Sequence, residues 1–134
     1  MVTAEEMLEM GFYKVNEIGG IFVTGTFYNP KTGESRSEVL RDYDYADCSR
    51  DNDSLYHMEI DEAARRAWMH SQGKILPGDT VEVYKGRKVK KGTVGKVDRI
   101  REINDKYGRW VADYVVLEDG QQTNVKNCKI VTAA

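Results

Sequence analysis

Apolar and polar positions change rhythm several times along the chain. The opening stretch "VTAEEMLEM", residues 2–10, has Thr3 with Glu6 three positions later, a capping-box pair, and Val2 placed to staple onto Met7. A short helix is expected there, stopped by Gly11. The rhythm then becomes two-fold. "FYKVNEI" and "IFVTGTFY" flank Gly19-Gly20, which reads as a hairpin with a two-residue loop, and "NPKTGE" turns the chain into a third strand, "SRSEVLRDYDY". A small antiparallel meander results. Residues 46–54, "ADCSRDNDS", have no period and read as a polar loop. Helical spacing returns in "IDEAARRAWMHSQGK", with Asp61 as N-cap, Glu62 in the first turn and Gly73 at the stop. Ala64, Ala67, Trp68 and Ser71 share one face of that helix, with Trp68 as its core anchor.

From residue 74 onward the strands become short and closely spaced. "TVEVY", "TVGKVDRI", "WVADYVVL", "TNV" and "KIV" are separated by glycine-bearing or polar turns, among them the hairpin pair Asp119-Gly120. Five such strands suit a small barrel, which leaves no open edge. Val81, Val83, Val94 and Val97 are expected on its inner face, Gly95 at a bend or bulge, and Ile130 and Val131 at its closure. The fold class is α+β, mainly β: an N-terminal antiparallel meander with two short helices, residues 1–73, packed on a C-terminal five-stranded barrel, residues 74–134. Residues 74–77 leave so little connecting chain that one compact body is expected.

Composition narrows the class. Of 134 residues, 40% are hydrophobic and 31% charged, with only two prolines, the profile of a folded globular chain. No apolar run reaches the roughly 20 residues of a membrane helix, and the N-terminus lacks the features of a secretory leader, so a cytosolic protein is expected. Cys48 and Cys128 stand far apart without metal-ribbon spacing and read as free thiols. The net charge of −2 conceals two opposite halves. Residues 1–72 hold 7 Lys and Arg against 14 Asp and Glu, a net of −7; residues 73–134 hold 13 against 8, a net of +5. Such a division points to a polyanion partner for the basic half, or to mutual cover between the halves.

The segment "PGDTVEVYKGRKVKKGTVGKVDRI" resembles a KOW motif, the short element of SH3-like barrels in certain large-subunit ribosomal proteins and in NusG-type transcription elongation factors. Gly78-Asp79 opens the first strand, Val81 and Val83 alternate within it, a glycine-bounded basic loop follows, and Gly92, Gly95 and Val97 close the pattern. The resemblance covers residues 74–132 and implies an SH3-like barrel, a sharp bend of the second strand at the last glycine, and a single helical turn in "TNVKNCKIV" before the final strand. It also implies contact with RNA or with polymerase-associated protein surfaces. The loop is about two residues longer than the usual ribosomal form, and residues 1–72 have no counterpart in either family. The chain also looks like bacterial and phage-like sequences in which a similar segment follows a short tryptophan-containing helix.

Physical chemistry supports the same reading of the loop. Lys85, Arg87, Lys88, Lys90 and Lys91 concentrate positive charge on a short turn, where phosphates can be approached with release of counterions. Arg99, Arg101 and Arg109 extend the patch, and Tyr107, with Tyr84, Trp110 and Tyr114 nearby in sequence or on neighbouring strands, offers a ring on which an unpaired base can stack. Against this stands a solvated loop with no partner, in which Trp110, alternating with Ala112 and Val116, belongs to the core. The function expected is a non-enzymatic binding module for RNA or DNA. A protein-protein adaptor is the alternative, as is an inhibitor whose Asp42, Asp44, Asp47, Asp51 and Asp53 form an acidic ridge mimicking nucleic acid. Those aspartates fail the EF-hand spacing, and His57 and His70 have no ligand spacing with the cysteines, so no metal or cofactor is expected. No nucleophile elbow, cysteine-protease signature or P-loop is present in the sequence.

Overall fold

A computed structural model describes residues 1–43 and 50–134. The chain forms two compact units, Met1–Gln72 and Gly73–Ala134, each with its own core.

The first unit is a three-stranded antiparallel meander, β1 (Tyr13–Ile18), β2 (Phe22–Tyr28) and β3 (Ser35–Asp42), with three helices: α1 (Ala4–Glu9), α2 (Asp53–Tyr56) and α3 (Glu62–Ser71). Thr3 and Glu6 form the capping box of α1, and Val2 packs against the cluster that holds Met7. The first hairpin is wider than a two-residue loop allows. Its last paired residues are Ile18 and Thr24, because Ile21 and Phe22 are drawn to β3: the Tyr43 amide donates to the Ile21 carbonyl, and Phe22 lies opposite Asp42. The end of the polar stretch after β3 runs into a helix that its lack of period hid. Asn52 caps α2, its side chain accepting from the Leu55 amide, and Leu55 is driven into the core with Met7, Phe12, Val23, Phe27 and Leu40. A second cluster joins Ala64, Ala67 and Trp68 of α3 to Val15 and Tyr28.

The second unit is a five-stranded antiparallel sheet in the order β7-β6-β5-β4-β8, from β4 (Thr80–Val83), β5 (Val94–Asn104), β6 (Trp110–Leu117), β7 (Gln122–Asn124) and β8 (Cys128–Thr132). A 3-10 turn, Val125–Asn127, separates β7 from β8. The core comprises Val81, Val83, Val89, Val97, Val115, Leu117 and Cys128. Val94 is not among them and is 55% exposed. It stands three positions from Val97, an odd separation, so the two cannot share a face of one strand. Val131 is likewise exposed, while Ile130 packs on the core. Pairing through Gly95 is regular, with no bulge. Its bare backbone instead makes room for Leu117, whose Cδ1 would lie 3.1 Å from a Cβ there.

The register of β5 against β6 slips twice. Residue 98 is extra on β5, between the Val97–Leu117 and Arg99–Val116 pairs; residue 113 is extra on β6, between the Arg101–Tyr114 and Glu102–Ala112 pairs. Beyond the second slip the hairpin continues through Ile103–Val111 and Asn104–Trp110, with no third strand on either side among the described residues. This projecting stretch is called the arm below. Among the described residues no helix is long and apolar enough to cross a membrane.

Candidate nucleic-acid interface

The basic run is held by its one apolar residue. Val89, in the middle of "RKVKKG", is 4% exposed and belongs to the core with Val81, Val83 and Val97. Burying this side chain fixes the loop from within and leaves Lys85, Arg87, Lys88, Lys90 and Lys91 exposed around it. Backbone bonds close the base: the Val83 amide donates to the Thr93 carbonyl at 2.9 Å and the Gly92 amide to the Val83 carbonyl at 2.8 Å. The Thr93 hydroxyl donates to the Lys90 carbonyl at 2.6 Å. Gly86, at φ +102°, lets the chain pass beside Asn127, whose carbonyl accepts from the Tyr84 amide at 2.9 Å.

Among the described residues no carboxylate lies within ion-pairing distance of these five cations. Lys85 stands over the Tyr84 ring, its Nζ 5.6 Å from the centroid. Arg87 and Lys88 line one side of a cleft of about 200 Å³, with Tyr114, Thr123, Asn124 and Asn127 completing the wall.

Strand pairing explains why Tyr114 and Asn124 meet in that wall. Arg101, Tyr114 and Asn124 are direct neighbours across β5, β6 and β7, so their side chains form one row on one face of the sheet. Arg99, Val116 and Gln122 form the next row on the same face. The Arg101 guanidinium sits 5.1 Å above the Tyr114 ring and donates to the Gln122 side-chain oxygen at 3.0 Å. Arg99 is exposed and lies 3.8 Å from Asp98, an outlying ion pair. The amide side chains are partly engaged: Asn127 Nδ2 donates to the Thr123 hydroxyl at 2.9 Å, and Asn124 Oδ1 accepts from the Lys126 amide at 3.0 Å.

Tyr107 and Arg109 fall elsewhere, at the tip of the arm. Asp105 organises that turn, its Oδ1 accepting from the Tyr107 and Arg109 amides and its Oδ2 from Arg109 Nε. The Arg109 amide, then desolvation working the other way, then the Tyr107 amide set its acidity, and the net effect holds the carboxyl below its ordinary value. Tyr107 is 70% exposed, with Lys106 and Arg109 each about 5 Å from its ring centre. Trp110 is 68% exposed rather than buried, because the part of β6 that carries it lies beyond the last strand pairing with β7. Ile103 and Val111 share the other face of the arm and are exposed as well.

The acidic segment has a different organisation. Asp42 and Asp51 are buried; Asp51 accepts from the Asp42 amide and from Arg41, which also pairs with Asp53. The hydrogen bond that Arg41 donates to Asp51 is the main reason its pKa is raised. Asp44, Asp47 and Cys48 lie outside the described residues. Among the described residues no three His, Cys, Asp or Glu side chains come together as a metal site. Cys128 is buried, and desolvation pushes its thiol pKa up, which makes it a poor nucleophile.

Sequence reasoning passed over the cleft's Thr123 and Asn124, legible only as residues of a short strand, over Asn127, legible only as part of a turn, and over Val89. An apolar residue alone within a basic run was the available signal. Comparison of the chain with protein-family models, curated proteins and solved structures finds no match.

Proposed function

We propose that the protein is a non-enzymatic nucleic-acid-binding module whose C-terminal unit is an SH3-like barrel of KOW type. Support for the barrel comes from the strand order, in which the first strand of the unit lies between the second and the last, and from the 3-10 turn before β8. The function rests on one observation above the others: a core-anchored loop presents five cations, without carboxylate partners among the described residues, beside a face bearing Arg101 and Tyr114. A fixed positive surface loses less entropy on meeting phosphates than a mobile one.

Fluorescence anisotropy with labelled single-stranded RNA, single-stranded DNA and duplex DNA tests this. Wild type is expected to bind, with affinity falling steeply as salt rises, and the triple variant Lys88→Glu, Lys90→Glu, Lys91→Glu is expected to lose binding at every salt concentration. No binding of any of the three ligands at low salt would end this reading.

A second reading, contact with a protein, is favoured by the arm. It exposes Trp110 on one face, Ile103 and Val111 on the other and Tyr107 at its tip, and its two acids, Glu102 and Asp105, balance its two bases, Lys106 and Arg109. A partner held there would show little salt dependence.

A further inference from the structure

We infer that the cleft between the β4–β5 loop and the outer row of β6 and β7 accepts a single unpaired nucleotide, so that the protein selects single-stranded or looped nucleic acid over duplex. The inference rests on the nucleic-acid reading above and adds to it the class of ligand. Three features converge. The cleft is concave and about 200 Å³ in volume, whereas a duplex presents a convex surface with its bases stacked inside. Arg87 and Lys88 supply charge at one side, suited to the nucleotide's phosphate.

Tyr114 and the amide groups supply the rest. Tyr114 is half-buried and held by Arg101, a ring of restricted freedom against which a base can pack. Asn127 spends one Nδ2 proton on Thr123, which leaves its second proton and its Oδ1 for a ligand; Asn124 Oδ1 keeps a lone pair beyond the one used by Lys126. The cleft therefore holds both donors and acceptors, the requirement for reading the edge of a base that has no pairing partner. A bare phosphate site would need only the former.

The experiment compares one sequence as a single strand and as a duplex, in RNA and in DNA, by anisotropy with the full chain and with Tyr114→Leu and Lys88→Glu, Lys90→Glu, Lys91→Glu variants. Wild type is expected to bind the single strand about tenfold or more tightly than the duplex, and Tyr114→Leu to lose about tenfold on the single strand alone, the scale of one base–aromatic stack. NMR shift mapping of wild type with a short single strand gives a second readout that does not depend on how the variant folds. Shifts at Tyr114, Asn124 and Asn127 are expected. Equal binding of strand and duplex, with shifts confined to Lys90 and Lys91, would overturn the inference while leaving a polyanion site on the loop. A folded Tyr114→Leu variant that binds the single strand normally would overturn it as well. Failure of every ligand to bind would remove the broader reading and this one together.

Discussion

At the scale of single residues, two positions have effects larger than their place in the sequence suggests. Lys14, on a strand of alternating pattern, is only 1% exposed. Its Nζ donates to the Leu55 and Tyr56 carbonyls, both at 3.1 Å, and pairs with Glu17 at 2.9 Å. It thereby satisfies carbonyl groups at the end of α2, where a cation also suits the helix dipole. Lys14→Met keeps the volume and removes the donor, so a loss of about 2 to 4 kcal/mol in the stability of the first unit is expected in urea unfolding followed by circular dichroism. Gly86→Ala is expected to cost about 1 to 2 kcal/mol, because φ +102° is strained for any side chain and the new Cβ would lie 2.5 Å from Asn127 Nδ2. The same measurement checks it. Neither role was legible in the sequence: a lysine in a strand reads as solvent-facing, and nothing local says that its head will meet carbonyl groups 41 and 42 residues away.

Among elements, the arm differs from the rest of its sheet. Two strands without a third neighbour are marginal in water, so its hydrogen bonds should open far more often than those of the paired region. Hydrogen exchange is expected to be about a hundredfold faster or more at Ile103 and Val111 than at Val97 and Val115. The tip carries a pH dependence of known sign. Since Asp105 titrates below its ordinary value of 3.8, its bonds to Tyr107 and Arg109 contribute in full above that value and are lost as pH falls through the lower, folded-state pKa. Amide shifts of Tyr107 and Arg109 should therefore stay constant from neutral pH down to about 4 and move only in stronger acid. Most elements were legible in advance, since capping pairs, Asp-Gly turns and two-fold alternation are local signals. α2 was not, because a four-residue helix has too few positions to show a period and is held by Asn52 and by the core that takes up Leu55. The exposure of Trp110 was not either: alternation gives the two faces of a strand but not whether another strand comes to cover one of them.

For the molecule as a whole, the division of charge and the division of structure fall at the same place, with a net of −7 over residues 1–72 and +5 over residues 73–134. Each unit also has its own apolar clusters. Residues 73–134 expressed alone are therefore expected to fold, to unfold in one cooperative transition, and to bind a cation exchanger at neutral pH, where the full chain, at −2, is not retained. A fragment without a thermal transition would show that its core is too small to stand alone. The two tryptophans are divided in the same way, one to each unit, Trp68 partly buried in the α3 cluster and Trp110 already in water. Intrinsic fluorescence thus has two separate uses in one chain. Denaturation changes the surroundings of Trp68 and hardly those of Trp110, so an emission-monitored melt follows the N-terminal unit and is nearly blind to the C-terminal one, while any quenching of Trp110 by a bound molecule reports on the arm.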